Sequence, residues 1–447
     1  MSQTKLLIIG GAVGLGAIVL ITFLILGSLG KGQVGAVTLQ FWGVFDEPSF
    51  YVDAINDFKK GNPGINVVYK KFNFEDYEKQ LIDSFAAGTG PDVWLMHNTW
   101  LPKHGDKIQP FSPDLFEDKS QAPALTFRDF QNQFVDVAVG DLTFDDQIFA
   151  LPIYIDTLGL YYNKDIFNTA GIAEPPKTWE EFNEDVKKLT LLDNRGNLTR
   201  SGAAMGTAKN INRSTDILML LMLQSGTQMT DRDNTGAAFA RPVNNENVGE
   251  TALQYYTDFA NQSANQSKEV FTWNDSQHYS VDAFTEGNVA MMFNYSHQIA
   301  ALRAKSPRFD FAVAPVPQIS ESSVAVTYAN YWAPTVSKQS KHPDPAWRFL
   351  AYLSSAKGAT AYINASSRPA ARRDLIELEK NDPDLGVFAE QALTARSWFQ
   401  VDNSAIETIF ADMIDDVNFG RASIRDALQS AENKVSVLMS KNRGQNF

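Results

Sequence analysis

The chain has 447 residues, 44% apolar and 20% charged, with a net charge of −13 and no cysteine. That length exceeds what one small core organises and predicts two lobes. The acidity and the lack of any Lys/Arg block exclude a nucleic-acid-binding face. The missing cysteines exclude disulfides, thiolate metal sites, cysteine nucleophiles and a lipidated anchor.

Residues 1–5 are polar, and Lys5 carries their only side-chain positive charge. Leu6–Leu26 is continuously apolar or small. At ~1.5 Å per residue this run crosses a bilayer core of ~30 Å, and it outruns the roughly 7–15-residue apolar core of a signal peptide. It reads as a transmembrane signal-anchor over 6–27, with 1–5 in the cytoplasm and the remainder outside. Small residues Ser28 and Gly30 leave cleavage open as the other reading. A Gly-rich linker covers 28–36. Val37–Trp42 then predicts a strand, Phe50–Lys60 a helix stopped by Gly61-Asn62-Pro63-Gly64, and Ile65–Tyr69 a second strand. Asn73 opens a helix whose Tyr77, Leu81, Ile82 and Phe85 share one face. Gly90-Pro91-Asp92 turns into a third strand that ends at His97-Asn98-Thr99-Trp100. Strands alternating with helices predict a largely parallel sheet in an α/β fold.

Asp145-Asp146 reads as a hairpin turn leading into Phe149–Glu181. Phe149–Tyr162 is rich in β-branched and aromatic residues and reads as buried strand broken near Pro152. Asn163–Ala170 reads as a short helix stopped by Gly171. Thr178 caps the next helix, with Glu181 as its reciprocal partner. One carboxylate, Asp156, sits inside the apolar run, where an unpaired charge is costly; it faces a cleft or a buried partner. Further on, Thr215–Gln224 is a strongly apolar helix, and VAMMFNYSHQI is a buried strand entering a loop and a helix. Phe309–Pro317 is another strand.

The run LPIYIDTLGLYYNKDIFNTAGI followed by PPKTWEEF resembles the signature region of family 1 extracellular solute-binding proteins, the sugar-capturing subunits of bacterial ABC importers. Supporting similarity runs from about Val37 to Ser430 and includes the opening strand–helix–NP–strand–helix–GPDV–strand order. The resemblance implies a two-lobed periplasmic-binding-protein type II fold, here behind the transmembrane helix. The lobes would comprise 37–154 with 315–365, and 155–314 with 366–447. They would close about crossing strands near Ile153–Thr157 and Ala312–Val316. It also implies a sugar ligand, permease partners in the membrane, a monomer, and no cofactor.

Ligands of open α/β sheets bind beyond the carboxyl ends of the strands. That rule selects Trp42, Phe45 and Asp46 after the first strand, and His97, Asn98 and Trp100 after the third. It adds Asp156 on the connecting strand and Tyr295 and His297 after a later one. Tyr331, Trp332 and Trp398 are further candidate rings. For the tryptophans at 42, 100 and 332, core packing is the competing reading, and Arg368 is read as fixing a turn. Rings, amides and carboxylates with little positive charge suit a neutral sugar; an anionic ligand would want Arg or Lys. By resemblance, Asp156 falls where maltose-binding protein has a sugar-bonding glutamate. His97, Asn98 and Trp100 fall in its Trp-Ala-His-Asp-Arg segment, although Met96, Thr99 and Trp100 depart from it. No GxSxG, HExxH or Walker loop is present, and the five histidines show no metal spacing. Two other readings stay open: a glycoside hydrolase using Asp46 and Asp156, and an extracellular sensor signalling through the anchor.

Overall fold

The computed structural model describes residues 36–261, 270–320 and 322–442. The expected signal-anchor at 6–27 lies outside these residues, and no helix among the described residues is long and apolar enough to cross a membrane. The chain builds two α/β lobes, each around its own hydrophobic core.

The first lobe opens with β1 (Val37–Val44), α1 (Val52–Gly61), β2 (Ile65–Phe72), α2 (Phe74–Ala86) and β3 (Val93–His97). Both β2 and β3 pair parallel to β1, as the strand–helix alternation predicts. In β1, Leu39 and Phe41 are buried while Thr38 and Gln40 face away from the core, so a period of two sets the register. The second lobe carries a five-stranded sheet from β4 (Gly159–Asn163), β5 (Leu191–Leu192), β6 (Leu198–Ala203), β7 (Val289–Asn294) and β8 (Phe311–Ala314), in the order β8-β4-β7-β6-β5. The chain then returns as β9 (Trp332–Val336), which pairs antiparallel with β3 and completes the first sheet.

Local signals around β4 hold closely. Asn163 Oδ1 accepts from Ile166 N at 3.0 Å and caps α3 (Lys164–Ala170), which ends at Gly171 with φ +69. The Thr178 hydroxyl accepts from Glu181 N at the start of α4 (Trp179–Leu189). Glu181 returns its bond to Lys177 N at 2.7 Å, one residue earlier than the reciprocal cap expects. The apolar helix α5 (Ser214–Gln224) and the late helices α6 (Asn403–Asn418) and α7 (Ile424–Asn442) pack on the second lobe.

Three expectations need correction. Regular strand in Phe149–Tyr162 is confined to its end, at β4; Ala150, Tyr154 and Thr157 make single bridges to Thr335, Ala370 and Ala329. That stretch leaves one sheet and enters the other, so no long ladder forms. The second crossing is not at Ala312–Val316, because β8 pairs with β4 and both Ala314 and Val316 lie in the second core. It lies at Tyr328–Ala329, and a third crossing runs from Ala395 to Trp398. Ala370, Leu375, Ile376, Ala389 and Ala392 pack in the first core, so 366–395 belongs with the first lobe.

The three crossings lie side by side. Asn330 N donates to Asp156 O at 3.0 Å, and Ala329 N to Arg396 O at 3.0 Å. Gln391 pins them. Its Nε2 donates to Leu158 O (2.9 Å) and Thr157 Oγ1 (3.1 Å), its Oε1 accepts from Val316 N (2.9 Å), and its carbonyl accepts from Thr327 Oγ1 (2.8 Å). Replacing this buried amide by a similar-sized apolar side chain strands a backbone donor and acceptor. Gln391→Met is expected to lower unfolding free energy by on the order of 3 kcal/mol, read from urea denaturation; an unchanged midpoint would mean that the crossings hold without it.

Candidate functional site

A partly open cavity of about 210 Å³ lies between the lobes, against the first two crossings. Phe45, Tyr154, Trp332 and Arg368 line it from the first lobe, Asp156 and Asn330 from the crossings, and Arg213, Tyr295 and His297 from the second. Phe45 follows β1 in a left-handed conformation, φ +63, which aims its half-exposed ring inward. That ring packs edge-on to Trp332 at 5.9 Å and against Phe74 at 5.2 Å. Across the cavity Tyr295 and His297 are stacked at 6.2 Å.

Asp156 is buried and answered from within the protein. Its Oδ1 accepts from Thr157 N and Ser296 N, both at 3.0 Å, and its Oδ2 from Ser296 Oγ at 2.7 Å; His297 Nδ1 stands 3.7 Å away. The carboxylate therefore ties the first crossing to the loop after β7, as a buried partner would, while still reaching the cavity wall. Asp46 does not line the cavity. It is buried behind it, where Oδ2 accepts from Tyr51 (2.6 Å) and Tyr362 (2.8 Å) and Oδ1 from Arg368 Nη2 (3.0 Å). Arg368 therefore does more than fix a turn: anchored on Asp46, its guanidinium lies 4.5 Å from the centre of the Tyr154 ring and faces the cavity.

The remaining sequence candidates are distributed elsewhere. The His97 ring receives the Thr99 hydroxyl at Nδ1 (2.8 Å) and donates from Nε2 to Asn330 Oδ1 (3.2 Å), so it orients a cavity residue from behind. Burial pushes its pKa down to about 4, which keeps it neutral. Trp100 stacks on Tyr77 at 6.2 Å and donates from Nε1 to Asn403 Oδ1 at 2.9 Å, reaching from one lobe to the other. Trp42 packs on Phe72 beneath Lys70, away from the cavity. Asn98 and Trp398 line a separate groove of about 690 Å³, next to the third crossing. Tyr331 is fully buried and donates to Asp141 on that side.

Sequence reasoning missed Arg213, Tyr154 and Asn330. Arg213 precedes an apolar helix and Asn330 sits in an irregular stretch, so neither carries a periodic signal. The expected scarcity of positive charge does not hold, because two guanidinium groups reach the wall.

A family profile described as bacterial extracellular solute-binding protein matches residues 53–387. The maltodextrin-binding protein MdxE of Bacillus subtilis is 23% identical over 401 residues, 86% of each chain. The multiple sugar-binding protein of Streptococcus mutans is 22% identical over 381 residues, 83% of this chain and 84% of its own. Among solved structures, the sugar-binding protein MalE from Xanthomonas citri superposes with a TM-score of 0.74 at 21% identity, covering 92% of this chain and all of that one.

Asp141 joins the crossing face through three donors: Asn98 Nδ2 (2.9 Å), Tyr331 OH (2.9 Å) and the Ser397 hydroxyl. Burial nevertheless raises its pKa from 3.8 to about 6. A carboxyl that holds its proton more tightly when folded contributes stability that is full below about pH 4 and lost as the pH rises through about 6. Asp141→Asn is therefore expected to gain on wild type by on the order of 2–3 kcal/mol between pH 4 and pH 7. Paired denaturation curves at the two pH values check this; a difference that does not grow with pH would show the carboxyl to be fully compensated.

Proposed function

The chain belongs to the bacterial extracellular solute-binding proteins, and from that premise we propose that it captures a carbohydrate between its lobes and delivers it to an ABC importer. The observation that carries this reading is the interlobe cavity walled by Phe45, Trp332, Tyr295 and His297, with Asn330 and the arginines as polar partners. Sugar C–H faces stack on rings, and sugar hydroxyls find donors and acceptors among the polar groups. The binding of sugars that the names of the relatives state supports the same class. A cavity of about 210 Å³ is smaller than the roughly 300 Å³ at which drug-sized pockets begin; it seats one sugar ring, as a monosaccharide or as the end of an oligosaccharide. Closure is a hinge motion about the crossings, of which periplasmic binding proteins are an established example.

In this reading residues 6–27 hold the protein at the membrane as a monomer with both lobes on the extracytoplasmic side, within reach of the permease subunits. The hydrolase reading draws no support from Asp46, whose two carboxylate oxygens are engaged by Tyr51, Tyr362 and Arg368.

A thermal-shift screen of the protein against a carbohydrate panel tests the class. A true ligand at 100 times its Kd adds ~2.7 kcal/mol of stability. Shifts produced only by amino acids or polyamines would overturn the assignment. Phe45→Gly separates ring from fold: relief of the left-handed backbone, worth ~1–2 kcal/mol, offsets lost ring contacts, so the melting temperature stays near wild type. Sugar affinity, measured by calorimetry, is expected to fall about tenfold with the loss of the stacking ring.

A further inference from the structure

One cation on the cavity wall has no acceptor. Arg213 stands immediately before α5 with φ +66, and its guanidinium centre lies 5.2 Å from the Tyr295 ring centroid. Its Nε is buried without a hydrogen-bond partner, and among the described residues the guanidinium makes neither an ion pair nor a hydrogen bond. Asp216 and Glu407 attract the Arg213 charge without bonding to the guanidinium, and each carries a hydrogen bond of its own. Asp216 Oδ2 accepts from Tyr295 OH at 2.8 Å, and Glu407 is hydrogen-bonded to Asn403. The other charges at the cavity are already answered: Arg368 by Asp46, and Asp156 by Thr157 and Ser296. What the protein leaves unmet is a planar fork of donors bearing positive charge.

Backbone strain marks the same place. Among the described residues, eight non-glycine residues have positive φ; six are Asp, Asn or Ser, which adopt this conformation readily in turns. The other two are Phe45 and Arg213, one on each lobe, and both line the cavity. Strain of this kind persists where the surrounding structure fixes a side chain for use.

We propose that the sugar seated here carries a carboxylate, received side-on by the Arg213 guanidinium, so that the ligand class is an acidic monosaccharide such as a hexuronate. The proposal rests on the sugar-capture reading and narrows it. A carboxylate matches the two-donor edge of a guanidinium, and charge-assisted bonds of this kind are stronger than neutral ones.

Calorimetric titration of the full chain with glucuronate and galacturonate, glucose and galactose, and glucose 6-phosphate tests it. The acids are expected to bind about 10–100-fold tighter than their neutral counterparts. Arg213→Gln should erase that preference, bringing acidic and neutral sugars to similar affinities, and Arg213→Lys should restore part of it. Raising the salt concentration with the wild-type protein, which requires no variant, should shrink the preference for the acids and spare the neutral sugars. Equal binding of acidic and neutral sugars, a preference that survives Arg213→Gln, or tight binding of the phosphate ester alone would each overturn the carboxylate assignment. If no sugar of any kind binds, the sugar-capture reading itself fails, which separates the two failures.

Discussion

Two separate cores can share a cleft only if the chain passes between them, and every passage exposes backbone that belongs to neither sheet. Here three passages run together, and Gln391 supplies the hydrogen bonds that their misfit would otherwise leave open. A buried amide suits this position because it donates and accepts at once, where a carboxylate would satisfy only the donors and an apolar chain neither. The arrangement is narrow enough to bend and continuous enough to keep the lobes facing one another. The cavity exists because the lobes meet beside these passages rather than merging into one core.

Much of the local structure was legible because its signals are local: Asn163 before α3 and Gly171 after it each act within one helical turn. The hairpin at Asp145-Asp146 likewise depends on two residues that accept positive φ. The second and third crossings were not legible, because β-branched and aromatic residues fill a crossing strand as readily as a sheet strand. Asp46 illustrates the limit for the site. Its position after β1 suggests a ligand contact, yet its partners Tyr362 and Arg368 lie 316 and 322 residues away in sequence. No spacing rule reaches that far. Phe45, Tyr295 and His297 could be chosen from strand ends alone, since a loop that leaves a sheet edge reaches the cleft whatever the distant partners do; Asp156 stood out as the one carboxylate of an apolar run.

The residues behind the wall explain why those in front stay in place. Asn330 faces the cavity with its carbonyl held by neutral His97. Arg368 faces it with one amino group fixed on Asp46 and its plane over Tyr154. Buried ion pairs contribute little net stability, because desolvation offsets attraction. Their value here is orientation: a guanidinium on a long flexible chain becomes a fixed donor once one end is anchored. Arg213 lacks such an anchor and depends on its constrained backbone and the Tyr295 face instead.

Side-chain contacts also join the lobes outside the cavity. Trp100 donates to Asn403, and Lys103 bridges Glu78 on its own lobe and Asp402 on the other at 2.7 and 2.8 Å. Both second-lobe partners sit at the start of α6, Asp402 as its cap. A partly exposed ion pair and one indole-to-amide hydrogen bond are worth roughly 1 kcal/mol each. Latches of that size hold the lobes together without locking them, which leaves the balance to be tipped by a ligand. A ligand that touches both lobes shifts that balance by its differential affinity for the closed form. In the proposed capture, Phe45 on one side and Tyr295 with Arg213 on the other would give the ligand contacts that closure completes. Under the proposed capture, weak latches and a divided wall would act together, the latches contributing little to closure and the ligand the remainder.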